Sequence, residues 1–240
     1  PTTCAAQGKT CGSIADGCGK TLDCGTCCIL PTDSGATKGL QEAIDQAASG
    51  DTITLCAGTW ELTSTVVIPD NLTLTLVGAG DDKTVLDGGM DLSNRTGGVR
   101  VLQIAQGASV SLQGLRITKG NDNNQNNQFM GSGGGILHEG KTLTLTDCTL
   151  GANTAFTGGG LSVPGGSPTR SVEMTRCSIE ENTGGNLQFC KGGGVFNGAT
   201  ATLKDCSVTV NQSYYGGGIS NEGKLTVHPS MVGGSNSAFQ

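Results

Sequence analysis

Apolar positions recur along this chain in pairs two residues apart. Between Gly133 and Val208 the pairs are Leu143/Leu145 with Cys148/Leu150 and Val172/Met174 with Cys177/Ile179, then Leu203 with Cys206/Val208. Alternation by two is the signature of strands that bury one face. The phase slips between Leu145 and Cys148, so a corner falls at Thr146 and Asp147. Each set follows a glycine triplet that opens a further strand: GGGIL from Gly133, GGGLS from Gly158, GGGVF from Gly192 and a weaker GGGIS from Gly216. Equivalent positions are Cys148, Cys177, Cys206 and Ser230, so the period is 29, 29 and 24 residues. A fixed period of this size means stacked supersecondary units. No copy holds ten residues free of glycine, strand alternation or turn signals, which excludes helical repeats. The pattern predicts an all-β chain: a right-handed parallel β-helix of about seven coils.

Stacking places like residues on like, about 4.8 Å apart. Cys148, Cys177 and Cys206 are expected to form an interior column. Asn153, Asn182 and Asn211, five residues after each cysteine, are expected to form a ladder of side-chain amides. At the corner, Asp147, Arg176 and Asp205 alternate in sign. Outward positions Thr144, Glu173, Thr202 and Thr226 form a flat, small-polar column.

The rest of the chain fits around this repeat. Residues 36–48 place Leu40, Ala43, Ile44 and Ala47 at helical spacing, predicting a short capping helix near 38–48 that covers the first coil. Residues 29–240 are read as the β-helix domain. Residues 1–28 differ in kind: Cys4, Cys11, Cys18, Cys24, Cys27 and Cys28 are crowded among glycines. A cysteine-dense module fits an oxidising compartment, with Cys56 a further partner, in particular for Cys28. The Cys24/Cys27 spacing also suits zinc, but no second pair or histidine follows nearby. Disulfides and secretion, to the extracellular space or cell surface, are expected. Eleven cysteines leave an odd thiol. The interior column is the natural home for free thiols, and Cys190, in a loop with no counterpart in the other copies, is the candidate for a reactive or intermolecular one.

Composition agrees. The 41 glycines in 240 residues are about two and a half times usual usage, and aromatics are 3%. A net charge of −6 with no basic run speaks against nucleic acid as a partner. No stretch approaches the length of apolar chain needed to span a membrane. The chain begins at Pro1 without Met, as a processed product would. It stops where another coil would open, leaving strand edges uncovered; either the protein continues or a partner chain supplies the next coil, and self-association there by strand addition is expected.

The strings GDTITLCAGTW, LVGAGDDKTVLDGG and GASVSLQGLRI, followed by the GGGI repeats with their asparagines, resemble the pectate-lyase-like right-handed β-helix superfamily over residues 33–240. More narrowly they are similar to the repeats of polymorphic outer-membrane and adhesin-like secreted bacterial proteins. The resemblance implies fold and export, while the superfamily contains enzymes, adhesins and structural proteins.

Enzymes of that superfamily act on acidic polysaccharides. A lyase needs a basic residue beside carboxylates that hold Ca²⁺; a hydrolase needs paired carboxylates. The candidates are Asp81, Asp82, Asp87 and Asp91 with Arg95 and Arg100. His138 is read as a turn residue. The Gly-His-Gly and paired-Asp motifs of family hydrolases are absent. The leading expectation is therefore a non-enzymatic structural or adhesive building block without cofactor or metal. A polysaccharide lyase or hydrolase is the first alternative and a module binding a surface glycan the second.

Overall fold

The computed structural model describes residues 13–15, 21–23, 28–31, 36–122, 131–185 and 188–238. The chain is a right-handed parallel β-helix. Seven strands stack in a first sheet from Asp51–Thr54 to Lys224–Val227, and seven in a second from Gly58–Glu61 to Met231–Val232. Six stack in a third from Val66–Ile68 to Ile219–Asn221. A fourth, short sheet from Thr154–Ala155 to Ser237–Ala238 is inserted between second and third in the later coils. Register between coils is continuous: Ser111, Thr144, Glu173, Thr202 and Thr226 stand in one outward row. Inward rows such as Trp60, Leu86, Ile117, Leu150, Ile179 and Val208 are fully buried. The core is therefore a cylinder of aliphatic residues, which explains why so few aromatics suffice.

Three columns of left-handed residues turn the corners. Asp147, Arg176 and Asp205 hold φ of 52°, 52° and 53° between the first and second sheets. Lys119, Ala152, Glu181, Val210 and Ser235 hold 50° to 69° after the second. At the opening of each triplet Gly133, Gly158, Gly192 and Gly216 hold 61° to 67°. The middle glycine answers a different demand: a Cβ on Gly159 would lie 2.5 Å from the Thr183 carbonyl oxygen and 2.6 Å from that of Gly193. Coils approach too closely there for any side chain.

The asparagine ladder lies inside this corner. Asn153, Asn182 and Asn211 are fully buried, and Nδ2 of each donates to Oδ1 of the next, at 3.0 Å and 2.9 Å. Asn236 continues the ladder at 3.1 Å. The three thiols form the interior column, each Sγ donating to a carbonyl of the coil below, as Cys177 does to Leu145 at 3.5 Å. Its hydrogen bond with Cys148, joined by burial, pushes the Cys177 thiol up to about 12. The corner charges pair at one step: Arg176 holds Asp147 through two bonds of 2.7 Å, and Asp205 is felt only at longer range.

The capping helix α1 spans Ala36–Gln46, starting two residues before the expected boundary. Leu40 and Ile44 are buried against the first coil. Gln41 substitutes for a neighbouring strand: its amide accepts from Val67 N at 2.8 Å and donates to Val67 O at 2.9 Å, closing the sheet edge. Cys28 is bonded to Cys56, with Cα atoms 5.1 Å apart, and Ile29 bridges Leu55. Ahead of it, Ser13–Ala15 pairs antiparallel with Thr21–Asp23. Cys4, Cys11, Cys18, Cys24 and Cys27 lie outside the described residues. Among the described residues no helix is long and apolar enough to cross a membrane.

Two expectations are corrected. Cys190 is fully buried, with its Sγ packed beside Gly185, so it is no exposed reactive thiol. His138 belongs to the strand Ile136–His138 and is fully buried in the inward row between Ile104 and the next coil.

Candidate functional site

Where the third sheet turns back into the first, the corner turns of three successive coils leave an open cleft of about 400 Å³. Gln106 and Gly107 line it from one coil, Glu139, Gly140 and Lys141 from the next, and Gly165, Gly166, Ser167, Thr169 and Arg170 from the third. The local geometry follows from backbone pairing. Glu139 N donates to Ile104 O and Lys141 N to Ala108 O, at 2.9 Å and 2.7 Å. Gly140 packs onto the coil below, where a Cβ would meet the Ala108 oxygen at 2.6 Å. The carboxyl and ammonium side chains thus flank a bare glycine.

Arg170 is the buried cation of this cleft, 7% exposed. Its guanidinium donates to the carbonyls of Gly140 at 3.3 Å, Gly165 at 3.0 Å and Glu139 at 2.8 Å, and also to Pro164. Among the described residues no carboxylate lies within ion-pair distance of it. The carbonyls satisfy its hydrogen bonds without cancelling its charge, so the cleft carries a positive floor. The nearby His138 registers both burial and that charge. Desolvation first, then Arg170, hold it down at about 4, against a hydrogen bond from Nε2 to Ser171 O that favours the charged form. Its Nδ1 has no hydrogen-bond partner among the described residues.

Glu139 is oriented by a relay. Gln103 Nε2 donates to Glu139 Oε2 at 3.1 Å, and Arg100 Nη1 donates to Gln103 Oε1 at 3.2 Å. Arg100 is itself anchored on Ser132 O, Gly133 O and Asp122. Sequence reasoning named Arg100 and missed the cleft. Glu139 and Lys141 look like ordinary turn residues until three distant turns are stacked.

The other sequence candidates are not brought together. Asp81 accepts from Thr149 Oγ1 at 2.5 Å over the outer face of the second sheet. Asp82 is an exposed turn residue. Asp87, on that same sheet, is paired with Lys119 at 2.7 Å and accepts from Gly89 N at 2.8 Å. Asp91 and Arg95 occupy a projecting turn, where bonds from Ser93 hold the Asp91 carboxyl below the ordinary range. Ca²⁺ requires several oxygen ligands. Glu139 is the sole carboxylate lining the cleft, and no group of three metal-ligating side chains occurs among the described residues. The cleft residues do not fit that ion.

This coil geometry defines a protein of the parallel β-helix class. No protein-family model and no curated protein matches the sequence. Among solved structures, the chain is similar to a rice weevil pectin methyl esterase, with TM-score 0.48 and 15% identity over 97% of this chain and 74% of that one. It is also similar to a pectin methylesterase mutant in complex with a hexasaccharide, with TM-score 0.41 and 19% identity over 72% of this chain and 51% of that one. Both neighbours are named as enzymes, which stands against the expectation of a non-enzymatic structural or adhesive building block. The likeness is one of fold and transfers no activity to this chain.

Proposed function

We propose that this chain is a carbohydrate-active β-helix that acts on an acidic polysaccharide in the Glu139–Lys141 cleft. The observation that carries the reading is an acid and a base flanking Gly140 above the uncancelled charge of Arg170. A uronate ring lying there has its carboxylate in a positive field. That field acidifies the carbon beside the carboxylate and stabilises the charge that grows when its proton leaves. Lys141 is the side chain placed to take that proton; the bond from the next carbon to the glycosidic oxygen breaks and a carbon–carbon double bond forms. The departing oxygen takes up a proton from solvent water, which reaches the open cleft. Glu139, held by Gln103, accepts hydrogen bonds from ring hydroxyls and fixes the register of the sugar. Two carboxylates facing each other, as hydrolysis requires, are not supplied by the cleft lining, so elimination is the better fit. The Cys28–Cys56 bond and the cysteine-rich segment before it support an extracellular location for this work.

Assays on acidic polysaccharides, reading the unsaturated product by its absorbance, test this directly. Lys141→Ala is expected to reduce kcat at least about 100-fold with an unchanged far-UV spectrum. Glu139→Gln should mainly raise KM. Parent protein inert on every acidic polysaccharide, or a fully active Lys141→Ala, overturns the reading.

A further inference from the structure

A second cleft, of about 330 Å³, lies along the corner between the second and fourth sheets. It is lined by Arg95, Glu181, Thr183, Val210, Gln212 and the serines Ser235 and Ser237. The fourth sheet brings Thr154, Thr183, Gln212 and Ser237 into one register row, so polar side chains repeat at the coil spacing of about 4.8 Å. Arg95 reaches this row from a distant part of the chain. Its turn, closed by the bridge between Asp91 and Thr96, projects from the second coil, and its Nη1 donates to Thr154 Oγ1 at 3.1 Å. No carboxylate lies within ion-pair distance of Arg95 among the described residues.

Val210 lines the cleft from the left-handed corner column. It is a β-branched residue at φ 57°, a conformation that is an outlier for its type, and its side chain is 51% exposed. Neither propensity nor burial accounts for valine there. Its isopropyl group gives the cleft an apolar surface against which a sugar ring can lie.

We infer that this cleft is a binding subsite for a linear uronate-containing glycan, lying along the coil axis with a carboxylate held by Arg95. The guanidinium fork matches a carboxylate through two parallel bonds. Glu181 and Gln212 take hydroxyls of neighbouring rings, and Val210 packs against a ring face. Partial desolvation lowers the proton affinity of Arg95, an effect that Glu181 opposes; a bound carboxylate would restore it. The inference rests on the polysaccharide reading above but uses a different face of the molecule, so each can fail alone.

The test measures binding of a polygalacturonate oligomer by calorimetry in the Lys141→Ala background, where turnover is slowed. Arg95→Gln is expected to weaken binding about tenfold, Arg95→Lys less, and Val210→Asn several-fold while raising thermal stability. A carboxyl-reduced oligomer should bind weakly and be indifferent to Arg95→Gln. Unchanged affinity in Arg95→Gln, or equal binding of the reduced oligomer, overturns the subsite. Neither result touches the kinetic outcome for Lys141, which decides the first cleft separately.

Discussion

Val210 and His138 are two residues whose backbone or side chain is at odds with its surroundings. A non-glycine residue in the left-handed region costs about 1–2 kcal/mol, and β-branching makes Val210 the most costly member of its column. Asparagine tolerates that region. Val210→Asn is therefore expected to stabilise the protein by about 1 kcal/mol, read as a higher urea midpoint with unchanged slope. His138 is buried as the neutral imidazole, at about 4 against an ordinary value of 6.5. As pH falls below 6.5 the unfolded chain takes up the proton first. Stability is thus complete above pH 6.5, declines from there to about pH 4, and is level below. The loss approaches about 3 kcal/mol, at about 1.4 kcal/mol for each pH unit. His138→Val, aliphatic like its column neighbours Ile104 and Val163, should remove that slope. Urea titrations at pH 7 and pH 4.5 check it: parent and variant losing equal stability would show that another group titrates.

At the scale of elements, the corners hold the coils in register. Asn182 makes four side-chain bonds, accepting from the backbone and amide of Asn153 and donating to Leu150 O and Asn211. Asn182→Leu keeps the volume and loses every bond, leaving buried polar groups of two neighbouring coils unpaired. The expected cost is about 3–5 kcal/mol, seen as a lower denaturant midpoint; a cost under 1 kcal/mol would mean the ladder is ornamental. The ladder was legible because its members share one offset from a repeating cysteine. Asn236 was not, since the last copy lacks that cysteine and its spacing is shorter. The inward rows were legible from alternation alone. The fourth sheet was not, because strands of two residues carry no period.

For the molecule as a whole, strand pairing runs only between adjacent coils, so each end is stabilised by what covers it. The first coil depends on α1 and on the Cys28–Cys56 bond, which closes a loop with a sequence separation of 28. Reducing that bond is expected to cost about 3–4 kcal/mol. Hydrogen exchange should show the loss concentrated in residues 51–77 and little changed beyond Gly133. Uniform loss across all coils would mean that the solenoid unfolds as a single unit. The amino-acid sequence by itself determined the solenoid, its inward rows, its glycine corners and the buried thiol column. Each of these repeats locally, and stacking multiplies one local preference along the axis. Only the tertiary structure decided where chemistry can occur. Glu139 and Arg170, or Arg95 and Gln212, come from different coils and obey no common period. What joins each set is the geometry of turns lying on one another, which no alternation along the chain records.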